Sequence, residues 1–303
     1  MTAGPPPALR RTRFAPSPTG HLHLGHLANA VYTWGVARAR GAEVRLRLED
    51  HDRERSRPEY ERSILDDLDW LGLQPDAPTT AAFRAGPCGG RQSDHPDRYA
   101  SALGRLERQG LTYWCDCSRQ RLRDGDPIDG ERRYDGRCRD RALGPGPDRG
   151  VRVRLAPGVE PFADGRLGPQ VQEPARQAGD LLVRDRRGNW TYQFAVVVDD
   201  LVEEIDLVIR GADLLASTGR QIRLARLLGR PTPPAFLHHP LVLDGTGRKL
   251  SKSRGDAGIR ELRAAGLSPD EVLGRAAASV GLVPSGTRIG VEDLPSLVRT
   301  PRR

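Results

Sequence analysis

Lysine is almost absent from this chain. Of 48 lysines and arginines in 303 residues only two are lysine, Lys249 and Lys252, and both lie in Lys249-Leu250-Ser251-Lys252-Ser253. A chain that uses arginine as its cation everywhere else, and returns to lysine at one place, calls there for a compact ammonium point charge. Long apolar runs are missing too. Nothing approaches the roughly 18 apolar residues of a membrane span, and Met1–Leu9 has too little apolar length for a signal peptide, so a soluble cytoplasmic chain without membrane contact is expected. Cysteine is scarce: Cys88, Cys115, Cys117 and Cys138 are too few and too clustered for a secreted disulfide scaffold, which leaves metal binding or free thiols. The net charge of +8 keeps two readings open, a polyanionic partner or an arginine-rich solvated surface.

The length allows one large domain or two to three modest ones. Residues 1–10 read as a disordered lead-in around Pro5–Pro7. Arg11–Ala15 predicts a strand, 16–20 a Pro- and Gly-containing turn, and Leu24–Arg40 a helix stopped by Gly41. Val44, Leu46 and Leu48 then alternate with charged residues as a second strand, completing a βαβ unit that favours a parallel sheet. Ser56 and Glu59 have capping-box spacing ahead of a helical face made of Tyr60, Ile64, Leu65, Leu68 and Leu71. Asp97–Gln109 predicts another helix. From 111 to 185 the periodicity weakens, Gly and Pro accumulate, and the cysteine cluster falls here, so an inserted subdomain is expected. The α/β pattern returns with Thr191–Val198, a strand over Ile205–Arg210, a helix over Ser217–Leu228 and a last strand over Leu241–Leu243. Helices follow over Gly258–Ala265 and Ser268–Val280, and the last twenty or so residues have no strong periodicity. The expected architecture is an α/β, Rossmann-type parallel sheet over 11–110 and 186–255, split by the insertion 111–185 and followed by a helical extension, 256–303.

Two short elements carry chemistry. His23-Leu24-Gly25-His26 follows the first strand and its turn, which puts two imidazoles and unpaired backbone N–H groups at a helix N-terminus, where a phosphate is favoured. Gly25 would let a nucleotide ring approach the backbone. The stretch Lys249–Ser253 lies on a Gly-flanked loop near the other end of the chain, where ammonium groups can meet the charge developing on a departing pyrophosphate. Either element alone is a weak signal; both, in this order on one α/β chain, are a specific one.

Together they resemble the HIGH and KMSKS signatures of class I aminoacyl-tRNA synthetases, with Leu24 and Leu250 as conservative changes. Arg13–Gly20 is similar to the glutamate-type opening, since Ala15-Pro16-Ser17-Pro18 departs from the Pro-Glu turn of the glutaminyl enzymes. Tyr192–Asp200 and Arg210–Leu215 look like the glutamyl-queuosine synthetases. The likeness covers about Arg11–Arg254 and fades beyond, leaving no room for a full anticodon-binding region, which would need on the order of 100 residues. It implies an ATP- and Mg2+-dependent ligase that forms glutamyl-adenylate and transfers glutamate to queuosine in tRNA(Asp), working as a monomer. His23, Gly25, His26 and Lys252 would bind ATP, with His23, His26, Lys249 and Lys252 catalytic. Glutamate would meet Arg13, Ser17, Glu49, Tyr192 and Arg210; the plain alternative for Glu49 is an ion pair with a neighbouring arginine. The same resemblance implies one structural zinc on Cys115, Cys117, Tyr134 and Cys138, which spacing alone leaves open because structural zinc more often shows Cys-x2-Cys pairs.

Other candidates read as bland. Asp66-Asp67, Asp199-Asp200 and Glu203-Glu204 suggest solvated faces, His238-His239 packing or capping residues, and Cys88 a free thiol. For His51 and His95 no partner is apparent.

Overall fold

The structure is a computed structural model and describes residues 9–118, 133–243 and 258–298. They form two compact units, one drawn from Met1–Asp94, Ile205–Ala212 and Pro234–Arg303, the other from His95–Glu204 and Asp213–Pro233. The second unit takes in the whole 111–185 segment together with the helices on either side of it.

The first unit opens with the expected βαβ arrangement. β1 (Arg11–Phe14) and β2 (Glu43–Leu46) pair in parallel, with Arg11 opposite Glu43 and Phe14 opposite Leu46, and α1 (Leu24–Arg40) crosses between them. Ten consecutive or near-consecutive residues of α1, Leu27 to Ala37, are buried, so this helix is covered on most sides. Gly41 ends it in the left-handed conformation at φ 65°, where a Cβ would be strained. α2 (Pro58–Trp70) turns Ile64, Leu65 and Leu68 inward, and α3 (Thr80–Ala85) adds Phe83.

The second unit holds α4 (Pro96–Arg108), an antiparallel sheet of β3 (Thr112–Cys115), β4 (Gly150–Val153) and β7 (Leu181–Arg184), and a hairpin of β5 (Glu160–Asp164) with β6 (Gly168–Gln172). The short α5 (Pro174–Gln177) precedes β7, and α6 (Tyr192–Val202) follows it. Val196-Val197-Val198 is a β-branched run inside α6. Burial of Phe194 through Val198 against Tyr99, Leu103, Val151 and Val183 outweighs the small helix penalty of valine.

The chain then returns to the first unit with β8 (Leu207–Gly211), passes through α7 (Thr218–Leu227) of the second, and continues as β9 (Ala235–His239), parallel to β8. β8 lies beside β1, where Asp206 N donates to Arg11 O at 3.1 Å. α8 (Ile259–Ala264), α9 (Pro269–Ser279) and α10 (Leu294–Leu297) close the unit, with Ile259, Leu273, Ala276 and Leu294 joining the core of Phe14, Val31, Trp34 and Leu65.

Several expectations need correction. Among the described residues the last strand is Ala235–His239 rather than Leu241–Leu243: the buried run Phe236 to His239 includes the histidine pair instead of following it. Ser56 does not cap α2; Arg57 is the N-cap, and Ser56 Oγ is buried without a hydrogen-bond partner, because Pro58 takes the first helical position and shifts the start by one residue. The aperiodic tail contains a one-turn 3-10 segment, Val291–Asp293, and α10, too short to show a period. Asp199-Asp200 is not a solvated face: Asp199 is 0% exposed and accepts from Arg98 Nη1 at 2.7 Å and Tyr99 Oη at 3.0 Å. His51 has a partner, its Nδ1 standing 2.7 Å from Gln92 Oε1.

Candidate nucleotide and amino-acid site

The turn after β1 leads into α1 through an unusual cap. His23 is the N-cap residue, and its Nδ1 accepts from Gly25 N at 3.0 Å, while His23 N donates to His26 Nδ1 at 3.1 Å. Two imidazoles thus close a reciprocal capping box, their ring centroids 3.9 Å apart. Because a backbone N–H occupies each Nδ1 as a donor, the proton of each neutral ring sits on Nε2, the nitrogen able to donate to an anion. Gly25 is required by the same geometry: a Cβ there would stand 2.8 Å from His23 Cε1. The room at Gly25 is therefore taken up by the His23 ring of this very cap.

Four of the five residues expected around glutamate belong to the first unit. Arg13, the third residue of β1, donates from Nη1 to Ile209 O at 3.3 Å, one residue before Arg210 at the end of β8. Glu49 follows β2; its N donates to Pro16 O at 3.1 Å, which places it beside Ser17. Arg13, Glu49 and Arg210 are all buried. Glu49 also pairs with the buried Arg47 at 3.4 Å, so the ion pair weighed as the plain alternative is present. The four lie past or near the carboxyl ends of parallel strands, where α/β sheets place their ligands. Tyr192 begins α6 in the second unit.

Lys249 and Lys252 lie outside the described residues. The residues on either side of 244–257 are described, and both sides are tied to this site. Before it, His239 at the end of β9 accepts at Nε2 from Asn29 of α1 at 3.2 Å and stacks on Tyr32. After it, Gly258 bridges to His23, and Ile259 N donates to Leu22 O at 3.1 Å.

In the second unit Cys115, Cys117 and Cys138 are buried with their sulfurs within 4.8 Å of one another. Cys117 Sγ and Cys138 Sγ are 3.6 Å apart, and Tyr134 Oη stands 3.6 Å from Cys115 Sγ. A tetrahedral ion with ordinary metal–sulfur and metal–oxygen bonds would need edges of about 3.8 Å and about 3.5 Å, so the donor set fits. Burial pushes the Cys115 thiol up, but the Arg152 guanidinium, 3.3 Å from its sulfur, outweighs this and the net direction is down. Burial and the hydrogen bond with Cys138 push Cys117 up to about 12. Arg152 also stacks on the Tyr134 ring at 3.6 Å. Cys88 is a free thiol.

Comparison with known proteins decides the family. Residues 10–288 match the model described as tRNA synthetases class I (E and Q), catalytic domain. The chain is 40% identical over 302 residues to the Glutamyl-Q tRNA(Asp) synthetase of Nitratidesulfovibrio vulgaris, covering 96% of this chain and 92% of that protein. This chain belongs to the class I tRNA synthetases, among the glutamyl-Q members of their glutamate and glutamine branch. It is also 38% identical over 261 residues to a Glutamate--tRNA ligase of Frankia casuarinae, covering 86% of this chain but only 53% of that protein. Among solved structures it resembles a glutamate tRNA ligase from Elizabethkingia meningosepticum in complex with its amino acid, at 26% identity and a TM-score of 0.76, covering 94% of this chain and 64% of that one. The synthetase thus spans roughly half to two thirds of the glutamate tRNA ligases it matches, and nearly all of its glutamyl-Q relative.

Sequence reasoning missed several residues that build this synthetase's sites. Asn29 ties α1 to β8 and β9 by donating to both Ile209 O and His239. Gly179, at φ +68°, lets the Tyr134 backbone approach so closely that a Cβ would stand 2.0 Å from Tyr134 O. Only the Gly179 case leaves a trace in sequence, as a Gly between a short helical segment and the apolar run Leu181–Val183; Asn29 and Arg152 look like ordinary surface residues until the chain is folded.

Proposed function

We propose that the chain activates glutamate with ATP as glutamyl-adenylate and transfers it to the queuosine base of tRNA(Asp). The observation that carries this is the cap of α1: two imidazoles with Nε2–H donors at a helix N-terminus, in the same unit as Arg13, Glu49 and Arg210, with the described residues before and after 244–257 tied beside them. The names of the 40% identical relatives support the acceptor.

An α-carboxylate oxygen attacks the α-phosphorus of ATP, the bond from that phosphorus to the α,β-bridging oxygen breaks, and pyrophosphate leaves. The nucleophile is already ionised, so no base is required, and the protein contributes position and charge. His23 and His26 donate from Nε2 to the phosphates, and the backbone N–H groups of the first turn of α1 add their dipole. Lys249 and Lys252 neutralise the departing pyrophosphate. Mg2+, when bound, offsets the triphosphate charge. Arg13 and Arg210 offer guanidinium groups to the two carboxylates and Glu49 an anion to the ammonium; Tyr192 is assigned to glutamate by the resemblance alone. In the second step a hydroxyl oxygen of the queuosine cyclopentene diol attacks the adenylate carbonyl carbon, the bond from that carbon to the phosphate oxygen breaks, and AMP leaves, the hydroxyl proton being released to the departing phosphate or to water. Cys115, Cys117, Cys138 and Tyr134 would hold one structural zinc, which would tie the end of β3 to the 134–138 turn. The chain works as a cytoplasmic monomer; among the described residues no helix is long and apolar enough to cross a membrane.

A second reading, charging of a tRNA 3′ end, is favoured by the 38% identity to a Glutamate--tRNA ligase. Glutamate, ATP and separate tRNA pools decide between them. Labelling of tRNA(Asp) only when queuosine is present supports the proposal, and labelling of queuosine-free tRNA(Glu) overturns it.

A further inference from the structure

β8 and β9 run parallel with Arg210 directly opposite His238, so the two side chains project from the same face at adjacent positions. Arg210 is 4% exposed and His238 0%. Arg210 Nε donates to His238 Nε2 at 3.0 Å. A guanidinium has no acceptor atom and keeps its proton, so this contact fixes the roles: His238 Nε2 carries the lone pair, and the proton of the neutral ring is on Nδ1. Beneath both lies Phe236, its ring 5.6 Å from the Arg210 guanidinium carbon and parallel to the imidazole within 13°. The plane of the guanidinium is therefore set from its Nε edge by a hydrogen bond and from one face by an aromatic ring. The edge formed by the two terminal nitrogens is the one that binds a carboxylate side-on, and its direction follows from the other two constraints.

We propose that His238 is a positioning residue that orients Arg210 for a carboxylate of glutamate. The proposal rests on the reading of Arg210 as a glutamate ligand. An arginine on a long stem loses affinity when its fork swings, and a displacement of about 1 Å in a positioning group costs up to about 100-fold in rate. His238 touches no substrate; its effect passes through Arg210 and falls on glutamate alone, leaving ATP binding unchanged.

The test is glutamate-dependent ATP–pyrophosphate exchange by the full chain, with KM measured separately for glutamate and for ATP. His238→Leu removes the acceptor at similar volume and is expected to raise the glutamate KM about tenfold, the effect of losing one hydrogen bond to a charged group, with the ATP KM unchanged. His238→Gln, whose amide oxygen restores an acceptor, is expected to recover most of the loss. Wild-type glutamate KM in His238→Leu overturns the proposal, as do equal rises for both substrates or equal defects in the Leu and Gln variants. Should His238→Leu not fold, His238→Asn, with its acceptor drawn back, carries the test by the same criteria. Arg210→Gln is the control that separates the two claims: an unchanged glutamate KM there refutes Arg210 as a ligand, whereas a raised KM there with a normal His238→Leu refutes only the positioning role.

Discussion

At the scale of single residues, the cap of α1 joins folding to chemistry. The same Nδ1 atoms that accept from the backbone N–H groups of His23 and Gly25 leave Nε2 as the donor nitrogen of each neutral ring. Gly25→Ala would press a methyl group 2.8 Å from His23 Cε1 and displace that ring. The expected outcome is a fall of about tenfold or more in kcat/KM for pyrophosphate exchange, with about 1 kcal/mol lost from thermal stability as the cap opens. The histidines were legible in sequence because a short motif at a helix start has a direct chemical meaning. His238 and Asn29 were not, because their roles depend on which strand end or helix turn lies opposite, and no local pattern carries that information.

Among the elements, α1 is the centre of the first unit, and two contacts on neighbouring helices give measurable consequences. Gly35 lets α10 approach: a Cβ there would meet Leu294 O at 2.7 Å and Val298 Cγ2 at 2.8 Å. Gly35→Ala gains helix propensity of about 1 kcal/mol but overpacks this contact, and a net loss of about 1–3 kcal/mol in denaturant unfolding is expected. On α2, Asp67 is 4% exposed, its Oδ2 lacks a hydrogen-bond partner, and burial pushes its carboxyl up to about 7 despite the opposing pull of Arg263 on α8. The folded state therefore holds a proton that the unfolded chain has released, and stability falls as pH rises from about 4 to about 7, by on the order of 3 kcal/mol. Asp67→Asn should remove that slope, so that the variant is the more stable protein at pH 8; unfolding curves at pH 5 and pH 8 that shift in parallel for both proteins would contradict this. The elements themselves were largely legible, since α1, α2, α4 and α9 repeat apolar residues at helical spacing. Asp67 and Asp199 were misread for the reason that adjacent acids look alike in sequence whether they face water or, like Asp199, a half-buried Arg98 and a buried Tyr99.

For the molecule as a whole, a parallel α/β unit carries the α1 cap with Arg13, Ser17, Glu49 and Arg210, and a second unit carries Tyr192 and the thiol cluster. The order of motifs along the chain showed the class of fold, but not that 186–204 would pack with the cysteine-bearing segment, because apolar content alone does not say which neighbour a helix buries against. Loss of metal should be felt in the second unit. Purified protein is expected to contain one zinc per chain by elemental analysis, and Cys138→Ser should lose it together with thermal stability. Zinc-free wild-type protein with an undiminished melting temperature would remove the structural role.

The central claim is that this chain makes an adenylate from glutamate at the α1 cap. Its most direct test is ATP–pyrophosphate exchange by the purified, metal-loaded chain without tRNA, in the presence of glutamate, glutamine or aspartate. Exchange with glutamate alone, reduced at least about 100-fold in Lys252→Ala, is the expected result. Absence of exchange with glutamate, or equal exchange with glutamine, would contradict it.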